Sequence, residues 1–285
     1  MLYLTSSHLV TCGGAALSVA GAIYIDKATE PANEPPKIEI IQKTPIKRGE
    51  ECRVEFKIID ANGTPLTPDE LTETYTRKLH VMMVDNSLSD YHHIHPEFNK
   101  ESNSFSCSFI PKMQGEYNMW SDFTLQKDAS NPILRNKIEA NLDYNIPAVI
   151  QHTNSASADG INIEIVPSPP LASGKNSNLQ FNVTKAGIPV KLEPVMGAYA
   201  HLVGFSKDGE NFIHCHPLNI ENNSSGILQF HVEPRNDGFT KFFLQVKTDG
   251  KETMVPFGQY IQPPEKFVQR EANSQPMSHQ GHAFI

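Results

Sequence analysis

Positive charge is scarce in this chain. Its 285 residues carry 24 Lys and Arg against 32 Asp and Glu, for a formal net charge of −8. Non-specific binding to nucleic acid needs a basic face, so the balance argues against that class. Cysteine is sparse as well: four thiols in this length do not make a disulfide framework. Helical periodicity of useful length is missing. So are the nucleophile elbow, the phosphate-cradling Gly loop and the His-Glu-x-x-His helix that mark common catalytic sites. Charge makes up 20% of the chain and hydrophobic residues 39%, enough apolar material to exclude a disordered chain.

What is present favours β-structure. There are 21 prolines, 17 glycines and many short Val/Ile/Phe runs. At roughly 150 residues per domain the length suggests about two domains. The one long uncharged run is Leu9 to Ile25, closed by Asp26 and Lys27 and preceded by no Lys or Arg. Residues 1–26 are expected to be a signal peptide or membrane anchor, with a buried apolar element as the alternative. Residues 27–35 read as a stiff Pro-rich linker.

Comparing the chain with itself reveals a duplication. Gly49-x-x-Cys52-x-Val54-x-Phe56 aligns with Gly174-x-x-Ser177-x-Leu179-x-Phe181. His80 aligns with His201, His93-Ile94-His95-Pro96 with His214-Cys215-His216-Pro217, and Pro111-x-x-x-Gly115 with Pro234-x-x-x-Gly238. Two units are expected, at 36–146 and 158–263, with a polar joint at 147–157 and a mobile tail at 264–285. Period-two alternation in Lys37–Ile41, Cys52–Ile59, Ile161–Val166 and Asn178–Val183 makes each unit a set of strands. Asn62-Gly63 and Asp208-Gly209 are turn signals. The fold class is therefore all-β: two tandem antiparallel sandwiches of immunoglobulin or cupredoxin type.

The duplicated histidines carry the chemistry. In each unit a His is followed thirteen residues later by a second and two later by a third, then Pro: His80, His93, His95 and His201, His214, His216. Residues 79–84 and 91–95 flank a turn at Asp85–Asp90. Pairing about that turn sets His80 opposite His95 with His93 diagonal to it, on one face. The same pairing sets His201 opposite His216, with His214 diagonal. Met82 shares the histidine face, whereas Leu79, Val81 and Met83 point into the core.

Three neutral imidazoles suit zinc, copper, nickel and iron. A thioether at Met82, and the string Met277, His279, His282 in the tail, tilt the choice toward copper. Asp122 is a candidate fourth ligand in the first unit, and Gln245 is its counterpart in the second. The competing reading makes the histidines hairpin packing residues of a structural or adhesion module. A three-His catalytic centre is the minor alternative. His8, His92, His152 and His231 lack matched partners and read as ordinary surface or satisfied histidines. Cys52 and Cys107 lie in strands that a sandwich can bring together, as a disulfide or as two buried thiols.

The strings LHVMMV…YHHIHPEF and AHLVGF…NFIHCHP, each followed by a Gly-aromatic strand (GEYNMWSDF, GFTKFFLQV), resemble a bacterial group of secreted or membrane-anchored β-sandwich proteins. That group is broadly similar to cupredoxin-like and copper-resistance periplasmic proteins. The resemblance covers both units. It implies a non-catalytic periplasmic domain linked with heavy-metal handling, with His80, His93, His95, His201, His214 and His216 as the motif histidines; with the ligand chemistry above, the expected function is an exported protein that binds copper or zinc. The expected partners are the metal ion and a metal-handling protein, with no nucleic acid, as the charge balance indicates, and with membrane contact only through the N-terminal apolar segment. No Cys-x-x-x-x-His-x-x-x-x-Met loop is present, so blue-copper electron transfer is not expected.

Overall fold

The computed structural model describes residues 34–74, 76–139, 146–166, 170–218 and 225–264. The expected signal or anchor segment, nearly all of the linker, the tail beyond Pro264, His8 and the string Met277–His282 lie outside them. Contacts divide the chain between Glu34 and Pro35, and both repeats fall in the second compact unit.

The first repeat runs β1 (Lys37–Lys43), β2 (Cys52–Ile59), β3 (Leu71–Thr72), β4 (His80–Asp85), β5 (Tyr91–Ile94), β6 (Glu97–Asn99), β7 (Ser104–Phe109), β8 (Tyr117–Asp122), β9 (Thr124–Leu125) and β10 (Ile133–Ile138). The second runs β11 (Ser155–Ala158), β12 (Ile161–Ile165), β13 (Ser177–Lys185), β14 (Ile188–Pro189), β15 (Ala200–Ser206), β16 (Phe212–Cys215), β17 (Ile227–Val232), β18 (Gly238–Thr248) and β19 (Lys251–Ile261). Sheets in the order β1-β2-β7-β6 and β10-β8-β4-β5 form one sandwich. Sheets β11-β12-β13, with β14 and β17 also on β13, and β16-β15-β18-β19 form the other. All the main pairings are antiparallel, as the sequence leads one to expect.

One departure concerns the polar joint. Ser155–Ala158 pairs with β12 as an outer strand of the second repeat, Ser155 opposite Glu164 and Ala158 opposite Ile161. Small alternating Ser and Ala side chains at a sheet edge carry no hydrophobic signal, which hid this strand from period-two reading.

Three apolar clusters explain the layering. One fills the first sandwich around Phe56, Val81, Met83, Tyr117 and Met119. Another fills the second around Phe181, Leu202, Phe230, Phe242 and Phe257. The third joins Met82, Val84, Tyr91 and Trp120 to Val203, Phe205 and Phe243. Sheet β10-β8-β4-β5 therefore covers its own core with one face and the other repeat's sheet β16-β15-β18-β19 with the opposite face. Tyr91 stacks on Phe243 at 4.8 Å between centroids, and Trp120 on Phe212 at 5.3 Å. Such aromatic pairs contribute about 0.5–1.5 kcal/mol beyond their buried area. Burial on both faces is why β4 and β15 read as near-continuous apolar runs.

Cys52 and Cys107 do sit on neighbouring strands. Cys52 pairs with Phe109 and Cys107 with Val54, and both are free buried thiols. Burial pushes the Cys107 thiol up to about 12.

Candidate metal centre

Asp85 builds the turn that aims the first histidine hairpin. Its Oδ1 accepts from the backbone N–H of Ser89 and Asp90 at 2.8 Å each, and its Oδ2 accepts from Ser87 N–H at 2.9 Å. This fixes a register of Val81 opposite Ile94 and Met82 opposite His93. One step further along, His80 faces His95. In the second repeat Leu202 pairs with Cys215 and Val203 with His214, and the next step sets His201 against His216. Both hairpins thus have the register that the spacing implies.

The structure brings all six motif histidines into one cluster where the repeats meet. His80 and His201 are buried, at 3% and 0% exposure. The His93 ring lies 4.8 Å from His201 and 5.5 Å from His214, both in the other repeat. His80 lies 5.4 Å from His214 and 6.1 Å from His216. His80, His93 and His95 each bring one ring nitrogen within 4.8 Å of the others, and so do His93, His201 and His214.

Neighbouring acceptors fix which nitrogen faces inward. His80 Nε2 donates to Thr74 O at 3.1 Å and His201 Nε2 to Val195 O at 3.0 Å. A carbonyl only accepts, so both rings turn a bare Nδ1 to the cluster. His93 Nδ1 bonds Gln245 Oε1 at 3.2 Å, and His214 Nδ1 bonds Asp122 Oδ2 at 2.8 Å. Those two rings therefore present Nε2 inward. Among the described residues, His201 Nδ1, His214 Nε2 and His95 Nε2 are buried with no hydrogen-bond partner. His95 differs from the others, since its Nδ1 accepts from Arg77 Nε at 3.1 Å.

Burial, then the neighbouring imidazoles, favour the neutral form of His80, His93, His95, His201 and His216. Desolvation followed by the charges of His214 and His201 pushes His93 well below the usual histidine range. Desolvation, then His80, brings His95 to about 4, and desolvation, then His214, brings His201 to about 3. His80 and His216 move down for the same first cause. Burial would raise the Asp122 carboxyl, but the His214 hydrogen bond and charge outweigh it and hold it down. A carboxylate or carbonyl on the far ring nitrogen is the usual orienting partner of a metal-binding imidazole.

Of the two weaker candidates, Asp122 stands directly opposite His80 in the β4–β8 pairing, and its Oδ2 bonds His214 of the second repeat. Met82 shares the histidine face but is fully buried in the apolar cluster between the repeats. Of the unmatched histidines, His92 bonds Asp90 at 2.9 Å, His231 bonds Asn178 and Asn176, and His152 stacks on Tyr260. Cys215 packs against the second repeat's core, away from its flanking histidines. Sequence reading missed Thr74, Val195 and Arg77. Backbone carbonyls leave no residue-type signal, and only the alignment of Asp122 with Gln245 pointed to any of the orienting groups.

No curated protein matches this sequence. Among solved structures, the chain is similar to a bacterial integrin-binding invasin at 13% identity, with a TM-score of 0.22 over 78% of this chain and 39% of that one. Domains 4 and 5 of the S-layer protein SbsC match at 10% identity and TM-score 0.22, over 81% of this chain and 98% of that one. A β-glucuronidase of Parabacteroides merdae matches at 11% identity and TM-score 0.20, over 79% and 24%. The chain thus spans about two fifths of the invasin's length, and scores this low say nothing of function. A family model does match, over residues 36–131 and 156–262, which is most of both repeats, and the chain belongs to that family, described as Domain of unknown function (DUF8832).

Proposed function

We propose that this protein binds a metal ion, copper in the first place and zinc in the second, through the histidine cluster between its repeats. One observation carries the reading. Two groups of three imidazoles, sharing His93, converge their ring nitrogens within 4.8 Å in a buried setting. His201 Nδ1 and His214 Nε2 lack any other partner there. Buried polar atoms are ordinarily hydrogen-bonded, so nitrogens left bare and mutually convergent fit a cation. His80 Nδ1 and His93 Nε2 face each other at 3.2 Å. With metal–nitrogen bonds of about 2.0–2.1 Å, two ligands of a tetrahedral ion stand about 3.3 Å apart. The role is buffering or delivery without turnover, in an exported setting, with a metal-handling protein as donor or acceptor.

The test is metal analysis and titration of the full chain beside a variant with all six motif histidines changed to Ala. Tight copper or zinc uptake is expected in the first and not in the second. Uptake below one equivalent in the wild-type protein sinks the proposal.

A structural reading has its own support, because His80 and His201 also tie the turns at Thr74 and Val195 to the hairpins. It predicts that His93→Ala with His95→Ala lowers stability equally with and without added metal.

A further inference from the structure

The geometry points to a single metal site per chain, held across the repeat interface by His80, His93, His201 and His214, in place of one site per repeat. It rests on the metal-binding reading above and specifies how that site is built.

The duplication suggests two equivalent sites, and the orienting hydrogen bonds contradict this. His93 of the first repeat is held by Gln245 of the second, and His214 of the second by Asp122 of the first. Asp122 and Gln245 occupy matched positions in the repeats, as do His93 and His214. The contacts are therefore reciprocal, as in an isologous dimer interface. Neither repeat orients its own middle histidine, so a site confined to one repeat lacks the group that fixes its ligand.

The count of lone pairs agrees. Each of the four rings has its outer nitrogen engaged by an acceptor: two carbonyls, one amide oxygen and one carboxylate. Each consequently offers one inward lone pair. His93 belongs to both convergent groups. A neutral imidazole whose Nδ1–H is committed can serve one ion at a time, so the two groups overlap and cannot both be filled. The ring centroids of these four stand 5.4 Å apart for His80–His93, 5.4 Å for His80–His214, 4.8 Å for His93–His201, 5.5 Å for His93–His214 and 5.9 Å for His201–His214. These contacts run unbroken from one repeat to the other, while His95 and His216 lie beside the members of their own repeat, at 4.8 Å from His80 and 4.5 Å from His214. His95 is set apart because Arg77 donates to its Nδ1, which leaves the ring proton on Nε2. His216 belongs to neither convergent group.

The experiment titrates the metal-free full chain with Zn(II) and with Cu(II), beside the single variants His80→Ala, His214→Ala and His95→Ala. A plateau at one equivalent is expected. His80→Ala and His214→Ala, from different repeats, should each weaken that one equivalent at least tenfold, and His95→Ala should keep it. Nitrogen superhyperfine structure in the Cu(II) spectrum of the wild-type chain should report about four nitrogens, a readout that does not require any variant to fold. A plateau at two equivalents, with each of the first two variants keeping one, overturns the shared site and leaves metal binding intact. So does a single equivalent that either variant retains at full affinity. No uptake by the wild-type chain overturns this inference and the metal-binding reading together.

Discussion

At the residue scale, the side chains behind the histidines matter as much as the histidines. Asp122 accepts the Nδ1 proton of His214 at 2.8 Å and so decides which nitrogen faces the cluster. Groups in this position typically change metal affinity by about 10–100-fold. Asp122→Ala is therefore expected to weaken binding by about that factor with the number of ions unchanged, as read by titration against a competing chelator. Gly204 shows a different constraint. A Cβ there would lie 2.7 Å from the Phe242 ring. The first repeat has Met83 and Met119 at the matched positions, so Gly with Phe in one core replaces two flexible Met side chains in the other. Overpacking of this kind costs about 1–3 kcal/mol. Gly204→Ala should lower the urea midpoint accordingly, with metal stoichiometry unaltered.

At the element scale, the hairpin β4–β5 is set by its turn. Asp85 is 3% exposed and takes three backbone N–H groups from Ser87, Ser89 and Asp90. Hydrogen bonds to charged groups are worth about 1.5–3 kcal/mol each, and unsatisfied donors add a penalty. Asp85→Ala should destabilise the protein by at least about 2 kcal/mol in chemical denaturation. It should also weaken metal binding, because a register slip moves His93 to the other face. This element was legible in the sequence. The turn residues, the two-residue spacing of His93 and His95, and the repetition in the second unit together fix which positions lie opposite. The strand β11 was not legible, because a Ser-Ala edge strand has no apolar pattern to read.

At the scale of the whole molecule, the repeats pack sheet to sheet, burying His80 and His201 and partly covering the other four motif histidines. An ion pair between Arg135 and Glu210 also crosses this interface. Trp120 is 6% exposed between Arg135 and Phe212. Truncating a buried Trp typically costs about 3–5 kcal/mol. Trp120→Ala should accordingly loosen the interface and reduce both stability and metal uptake, seen as a lower unfolding midpoint and faster metal release.

The same burial makes the metal-free protein sensitive to acid. His93, His95 and His201 have folded-state values below the ordinary histidine range, near 4 for His95 and 3 for His201. The unfolded chain binds protons at about pH 6.5, before the folded cluster does. Stability is therefore full above about pH 6.5 and falls as the pH drops toward 4. Thermal unfolding of metal-free protein between pH 7.5 and 4.5 should show a steadily falling midpoint. A midpoint independent of pH would argue against a buried neutral cluster. Metal at 100 times its dissociation constant should add about 2.7 kcal/mol at pH 7.

The sequence by itself determined the duplication, the all-β class, the hairpin register and the side of β4 on which the histidines lie. These are local properties, set by period-two geometry and turn chemistry. What covers that side is a long-range matter. Residues such as Met82 and Val84 look alike whether they face solvent, a partner or a second repeat, and only the packing of one sheet on the other joined the two trios. The exchange of orienting groups, Gln245 to His93 and Asp122 to His214, links residues 152 and 92 positions apart. No spacing within either repeat encodes such a contact, because it exists only where the two surfaces meet.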